Sequence, residues 1–260
     1  MNNNRENTAV NELQQEQMLK LITKGFYKEL INYGIEKKYI ITVSSHLLDY
    51  LLKDLKDTTV GKDDEYYNQL FTVKNIQDNW KKNQRLIIKD VSISPLKPEM
   101  CSQVAVWLAD PAIKYNFIPS FPEAENELKE YFEHVGRAYF IIHYNDEPVG
   151  VIGADNMDNK SRKLEMKKFV GNAGLHGKGI GKFATFLFLY YSFSILGFDK
   201  VYIHSGDANM RNIILNSKFG FELEGIFFDD VVIQSTKKDV VRMGLLKARW
   251  LEIFSSARLF

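Results

Sequence analysis

Three glycines at alternate positions, Gly177, Gly179 and Gly181, punctuate the run Leu175-His176-Gly177-Lys178-Gly179-Ile180-Gly181-Lys182, which lies between a strand-like segment and a long apolar one. A helix that begins inside such a run brings unsatisfied amide N–H groups and the positive end of its dipole to one place. That place suits a phosphate. Glycine permits the tight turn and leaves no side chain between the amides and an anion. Two common phosphate loops do not fit. The nucleotide-triphosphate loop needs Ser or Thr after its lysine, yet Lys182 precedes Phe183, and the residue five before Gly181 is His176. The dinucleotide fingerprint G-x-G-x-x-G needs its last two glycines three apart, and here they are two apart.

The rest of the composition narrows the chemistry. With 34 Lys and Arg against 33 Asp and Glu, the formal net charge is +1, so no electrostatic footprint points to nucleic acid or an anionic membrane. A single cysteine, Cys101, excludes an intramolecular disulfide and a cysteine-based zinc cluster. His46, His134 and His143 form no H-x-x-x-H or H-x-H pair, so no metal is expected. The N-terminus has neither a basic start nor an apolar stretch of a secretory signal, and the longest uncharged run, residues 183–198, is shorter than the roughly 20 residues a membrane span needs. A cytoplasmic protein is expected.

Elements must hold the loop in place. Met18, Leu19, Ile22, Phe26, Leu30 and Tyr33 recur at threes and fours, predicting a helix over residues 11–33 with Gly34 as its stop. A short strand over 38–43, a second helix carrying Leu47 to Leu55, a loop over 58–65 and a third helix over 66–82 complete a small, mainly helical region, residues 1–84, of unknown role. After it the texture changes. Strands are expected over 85–93, 137–144, 148–154, 163–170, 200–205, 221–232 and 239–246, and helices over 97–109, 122–134, 183–198 and 210–219. The pattern is an α/β (α+β) fold: a mixed sheet with helices on both faces.

The loop resembles the acyl-CoA pyrophosphate loop of the GCN5-related N-acetyltransferase (GNAT) family, [RQ]-x-x-G-x-[GA], with His176 in place of the first residue. The likeness extends through residues 207–221, Asp207-Ala208-Asn209-Met210 onward to Lys218-Phe219-Gly220-Phe221, and through Trp107-Leu108-Ala109-Asp110-Pro111 and Pro148-Val149-Gly150-Val151-Ile152-Gly153 upstream. About residues 85–246 are covered, so residues 85–260 are assigned to the acyltransferase domain, with a mostly antiparallel sheet. The resemblance implies acetyl-CoA or another acyl-CoA as co-substrate, bound by His176, Gly177, Lys178, Gly179, Ile180, Gly181 and Lys182. It places Phe169 and Val170 along the pantetheine arm, with Asn209 and Asn216 near the same ligand. Asn216 stands where much of the family has a tyrosine that protonates the leaving thiolate, and an amide cannot donate a proton that way.

Direct transfer to an amine needs the amine neutral, and a free alkyl amine has a pKa near that of lysine, about 10.4. By resemblance, the candidate bases are Glu165 in Leu164-Glu165-Met166 and His204 in Tyr202-Ile203-His204-Ser205. Trp107, Tyr115, Phe117, Phe121, Phe227, Phe228, Asp229 and Asp230 fall in segments that would rim the acceptor side. The expected activity is N-acyl transfer, most simply acetyl transfer, to a small-molecule primary amine such as an amino sugar or amine metabolite. Two other classes stay open: an acyl-CoA-sensing or partner-binding module of degenerate GNAT fold, and an acyl-carrier-protein-dependent enzyme. Oligomeric state is not legible.

Overall fold

The computed structural model describes residues 2–36, 39–40, 76–114, 121–122, 124–175, 177–206, 209–233 and 235–254. Its centre is an eight-stranded sheet: β1 (Leu86–Ile88), β2 (Val91–Pro95), β3 (Ala138–Tyr144), β4 (Glu147–Asp158), β5 (Lys163–Val170), β6 (Lys200–Gly206), β7 (Glu222–Ile233) and β8 (Thr236–Leu246). The strand order is β1-β2-β3-β4-β5-β6-β8-β7. Every neighbouring pair is antiparallel except β5 and β6, which are parallel. The connection between those two carries α6 (Ile180–Tyr190), as a parallel crossover must.

Period-two alternation sorts the strands between two cores. Phe140 and Ile142 of β3, Ile152 of β4 and Leu164 and Met166 of β5 face a cluster that also holds Phe186, Phe188 and Leu189 of α6 and Trp250 of α8 (Lys247–Ile253). Tyr139, Ile141, Val151 and Phe169 face the other side, where α3 (Cys101–Leu108), α4 (Pro111–Lys114) and α5 (Glu125–Glu133) supply Val104, Trp107, Ile113 and Leu128. Helices therefore cover both faces of a mixed, mostly antiparallel sheet. The remaining helix of this part, α7 (Met210–Lys218), follows β6 and buries Ile213 in the first cluster.

Local chemistry corrects several boundaries. The strand expected over 85–93 is two strands, because Lys89 takes a φ of 51° and turns the chain so that Ile88 pairs with Val91. Asn145 and Asp146 adopt φ of 50° and 68°, the left-handed pair that a two-residue hairpin turn requires. The apolar helix starts earlier than expected, at Ile180, and passes into a π-helical turn over Tyr191–Ile195. A short helix after β8, α8, was not expected at all.

In the N-terminal region, α1 spans Asn2–Asn32 and ends as foreseen at Gly34, whose φ of 77° permits the closing bonds from Gly34 N to Ile31 O and Ile35 N to Leu30 O. Its buried stripe differs from the expected one. Leu21 and Gly25 are buried and Met18 packs on the core, whereas Leu19 is 62% and Tyr33 80% exposed. The helix meets the sheet near β7 and β8, where Lys24 reaches Asp239 at 2.6 Å. α2 (Ile76–Asn83) inserts Trp80 against Phe140 and Tyr191, with ring centroids 6.1 and 5.1 Å apart. The expected elements over 41–75 lie outside the described residues.

At Gly150 the backbone of β5 leaves no room for a side chain on β4. A Cβ there would sit 2.2 Å from the Phe169 carbonyl oxygen and 2.9 Å from the Val170 Cα, both backbone atoms that cannot yield alone. Gly150→Ala should therefore cost about 1–3 kcal/mol, as overpacking does. Urea denaturation checks this, and an unchanged midpoint would show that the two strands can separate without loss.

Candidate active site

The parallel contact between β5 and β6 is short. Lys163 pairs with Lys200, Leu164 with Val201 and Glu165 with Tyr202, and the register then ends. Beyond it each strand is held by its outer neighbour: β5 stays on β4 to the Gly150–Val170 pair, and β6 stays on β8 to the Gly206–Val240 pair. A wedge opens between them. Glu165 and His204 stand on one face of its apex, with His204 Nδ1 3.0 Å from Glu165 Oε1. Glu165 is 6% exposed, and its other oxygen accepts from Asn156 Nδ2 at 2.8 Å. Asn156 reaches it because β4 bulges between Asp155 and Asp158, with Asn156 at a φ of 50°.

Burial alone would raise the Glu165 carboxyl. The hydrogen bond from His204, the Lys167 charge and the Asn156 amide outweigh it, and the group titrates below its ordinary range. An ionised carboxylate only accepts, so His204 donates from Nδ1, and in the neutral ring that tautomer carries its lone pair on Nε2. Asp155 lies directly opposite Glu165 in the register, a like-charge placement that costs stability unless each partner is compensated. Lys167 at 2.5 Å, Arg137 at 2.9 Å and the Tyr131 hydroxyl compensate Asp155. The Phe227 ring closes on His204 edge-on, at 6.0 Å between centroids.

At the other end of the wedge, Gly177 and Gly179 have φ of 85° and 80°, and Gly179 is the N-cap of α6. A Cβ on Gly177 or Gly181 would meet no atom within 4 Å, so the loop surface above the first-turn amides is open and fits an anionic diphosphate. Ile180 is buried, anchoring the helix start, while Lys178 is exposed. Burial lowers the Lys182 ammonium, the Lys218 and Lys89 charges lower it further, and Lys89 and Lys182 both lie over the Phe183 ring, 5.3 and 5.9 Å from its centroid. His176 lies outside the described residues.

The other expected residues are distributed as follows. Phe169 is buried in the second core cluster, 6.3 Å from the Trp107 ring, and Val170 ends β5. Asn209 caps α7 by accepting from Asn212 N at 3.3 Å. Asn216 is fully buried, accepting from Lys168 Nζ at 3.1 Å and donating to Asn212 at 3.1 Å. Trp107 packs beneath Gly171, and Phe121 stacks among Tyr131, Phe132 and Tyr139, so both are core residues in this fold. Tyr115 and Phe117 lie outside the described residues. Sequence reasoning missed Asn156, Asp155, Lys168, Lys89 and Lys218. Only Lys168 carried a signal: it shares strand parity with the core residues Leu164 and Met166.

A family profile described as Acetyltransferase (GNAT) domain matches residues 90–222, more than half of the 260 residues. The chain belongs to the GNAT acetyltransferase family. It is thus an N-acetyltransferase. Among its relatives is the spermidine N(1)-acetyltransferase of Escherichia coli (strain K12), 21% identical over 150 residues, 58% of this chain and 77% of that protein. The spermidine N(1)-acetyltransferase of Vibrio cholerae serotype O1 is 24% identical over 149 residues, 57% of this chain and 82% of that protein. The structure of spermidine N-acetyltransferase from Vibrio cholerae in complex with CoA and spermine superposes with a TM-score of 0.59 at 21% identity, over 63% of this chain and 99% of that one, and establishes the shared fold. Among the described residues no group of three or more His, Cys, Asp or Glu side chains converges as a metal site would, and no helix is long and apolar enough to cross a membrane.

Because the folded Glu165 carboxyl titrates below its unfolded value, the stability it lends is complete above about pH 5 and is lost as pH falls through the folded value. Glu165→Gln should remove that share of the acid loss. Urea midpoints measured from about pH 6 down to about pH 3 should show a shallower decline in the variant. Parallel curves would contradict the stabilised carboxylate.

Proposed function

We propose that this acetyltransferase moves an acetyl group from acetyl-CoA directly to the primary amine of a small molecule. The carrying observation is the His204–Glu165 pair at the apex of a wedge whose far end is a glycine-rich helix start. Gly177, Lys178, Gly179, Ile180, Gly181 and Lys182, with His176, would hold the diphosphate, and Lys89 and Lys218 would add charge at the same place. The pantetheine arm would run down the wedge along Phe169 and Val170, in the manner of an added strand. A backbone N–H of β5 would then polarise the thioester carbonyl.

His204 Nε2 is the group we assign to take the amine proton, with Glu165 holding the ring and stabilising the imidazolium, a base–orienter arrangement. Glu165 is too enclosed to meet the amine directly. Amino sugars and amine metabolites are the acceptor classes, and the spermidine N(1)-acetyltransferase relative and the neighbour bound to spermine put spermidine and spermine first in any panel.

We retain the division into residues 1–84 and 85–260 as a proposal, with the N-terminal helices shaping the acceptor side. Lys24 of α1 holds Asp239 at 2.6 Å, and Asp239 accepts from the Asp229 amide at 3.1 Å, in the β7 segment that brings Phe227 to His204. The helix is therefore linked to the ring beside the base. A cytoplasmic setting is likewise part of this proposal.

Acetyl-CoA offered with spermidine, spermine and glucosamine, with released CoA as the readout, tests the reading; binding without turnover of any amine would favour a sensing module. His204→Ala should lower kcat by about 10²–10⁴ at neutral pH, with the deficit shrinking as pH rises and the amine deprotonates itself. A deficit constant with pH would remove the base role. Gly179→Val, strained at a φ of 80°, should weaken acetyl-CoA binding in calorimetry while far-UV circular dichroism stays native. Lys24→Ala should raise the acceptor KM severalfold and leave the acetyl-CoA KM alone; equal effects on both would detach α1 from the acceptor side.

A further inference from the structure

The mechanism above has no work for Lys168, yet its surroundings are built around it. Leu164, Met166 and Lys168 share the face of β5 that packs on α6, opposite to Glu165, and the first two are core residues. At the third position the same layer receives an amine. Lys168 Nζ donates to Thr185 Oγ1 of α6 at 2.8 Å and to Asn216 Oδ1 of α7 at 3.1 Å. Both acceptors are preset. The Thr185 hydroxyl spends its own proton on the Gly181 carbonyl at 2.6 Å, and the Asn216 amide donates to Asn212 at 3.1 Å. Each can therefore only accept from Lys168. An ammonium has three protons, and no described residue takes the third.

Position gives that proton a direction. Lys168 lies three residues beyond Glu165, the last residue of β5 to pair with β6, and Asn216 belongs to the helix that follows β6. Their bond thus ties the two diverging halves of the sheet together on one face, as Glu165 and His204 do on the other. A ligand lying in the wedge has a proton acceptor on one side and a cation on the other. We propose that Lys168 is the proton donor to the departing CoA sulfur. This rests on the acyltransferase reading.

In this step the amine nitrogen forms the C–N bond and the C–S bond breaks, its electron pair going to sulfur. The surplus proton of the nitrogen goes to His204 Nε2, and a proton of Lys168 Nζ goes to sulfur, so CoA leaves as the thiol. Exchange with water then reprotonates Lys168 and deprotonates His204. The groups placed against Lys168 leave its titration to burial: Thr185 from α6, Asn216 with Asn212 behind it from α7, and Ile152 opposite it in β4. No carboxylate of the described residues pairs with it, and burial lowers it from 10.5 to about 7. Such a donor lies below a thiol near 8.5, so the transfer runs downhill, whereas an ordinary lysine would face an uphill step.

The test compares wild type, Lys168→Met and Lys168→Arg, using acetyl-CoA and whichever of spermidine, spermine and glucosamine the wild type turns over fastest. We expect wild-type kcat to fall along an alkaline limb that Lys168→Met lacks. Lys168→Met should lose about 10²-fold or more in kcat at neutral pH while calorimetric acetyl-CoA affinity stays within about threefold. Lys168→Arg, which keeps the charge but not a transferable proton, should be as slow as Lys168→Met. A second signature needs no substrate. A lysine lowered in the folded chain makes stability rise with pH between about 7 and 10.5, and Lys168→Met should flatten that rise. The proposal falls if Lys168→Met keeps kcat within about threefold, if Lys168→Arg restores it, or if wild-type stability shows no such rise. A wild type that binds acetyl-CoA but acetylates none of the amines overturns the acyltransferase reading itself, and that result is separate from an active wild type with an unimpaired Lys168→Met.

Discussion

Three residue pairs of parallel sheet, ending at Glu165 and Tyr202, set up everything else in this protein. Beyond them β5 stays on β4 and β6 stays on β8, so the two strands part company while each keeps its outer partner. The resulting wedge is a place where a ligand can lie between two strands of the central sheet. The glycine-rich start of α6 is aimed at its mouth by the same crossover that makes β5 and β6 parallel.

The apex concentrates charge that an apolar core would reject. Asp155 and Glu165 are both nearly buried and directly opposite each other. Their coexistence depends on dividing the available partners: Arg137, Lys167 and Tyr131 for Asp155, and His204 and Asn156 for Glu165. Fully satisfied, such a network rigidifies its surroundings; removing one member would leave a buried charge uncompensated. The rigidity has a use here, because an imidazole held at Nδ1 presents Nε2 in one direction. The opposite face of β5 follows a different rule. Lys168 has neutral acceptors in Thr185 and Asn216, and burial makes its ammonium the destabilised form.

Among the described residues, the N-terminal helix meets the first core cluster through Met18 and Leu21. Leu21 is its deepest described hydrophobic side chain, and Lys24 is its ion-pair link to β8. Several of its apolar side chains stay exposed, including Leu19 and Tyr27. A long helix docked along one line can shift without unfolding the core.

Much of the catalytic half was legible from the sequence because its signals are local. The glycine spacing, the hairpin turn at Asn145 and Asp146, the strand 163–170 and the glycine stop of α1 each depend on backbone sterics or a two- to four-residue period, which neighbours in the chain determine. The sequence by itself therefore determined most of the order of elements and the glycine-rich helix start, and its family resemblance supplied Glu165 and His204 as candidates. It could not show that these two side chains meet, since they are separated by 39 positions and brought within 3.0 Å only by the short parallel register. Nor could it show that Lys89 and Lys218 stand near Lys182, that a bulge turns Asn156 onto Glu165, or that α1 buries Leu21 and Gly25 in place of the more obvious stripe. Those outcomes belong to tertiary structure for one physical reason: pairing register, strand divergence and helix docking are settled by which distant surfaces bury each other best, and local preference carries no information about the partner.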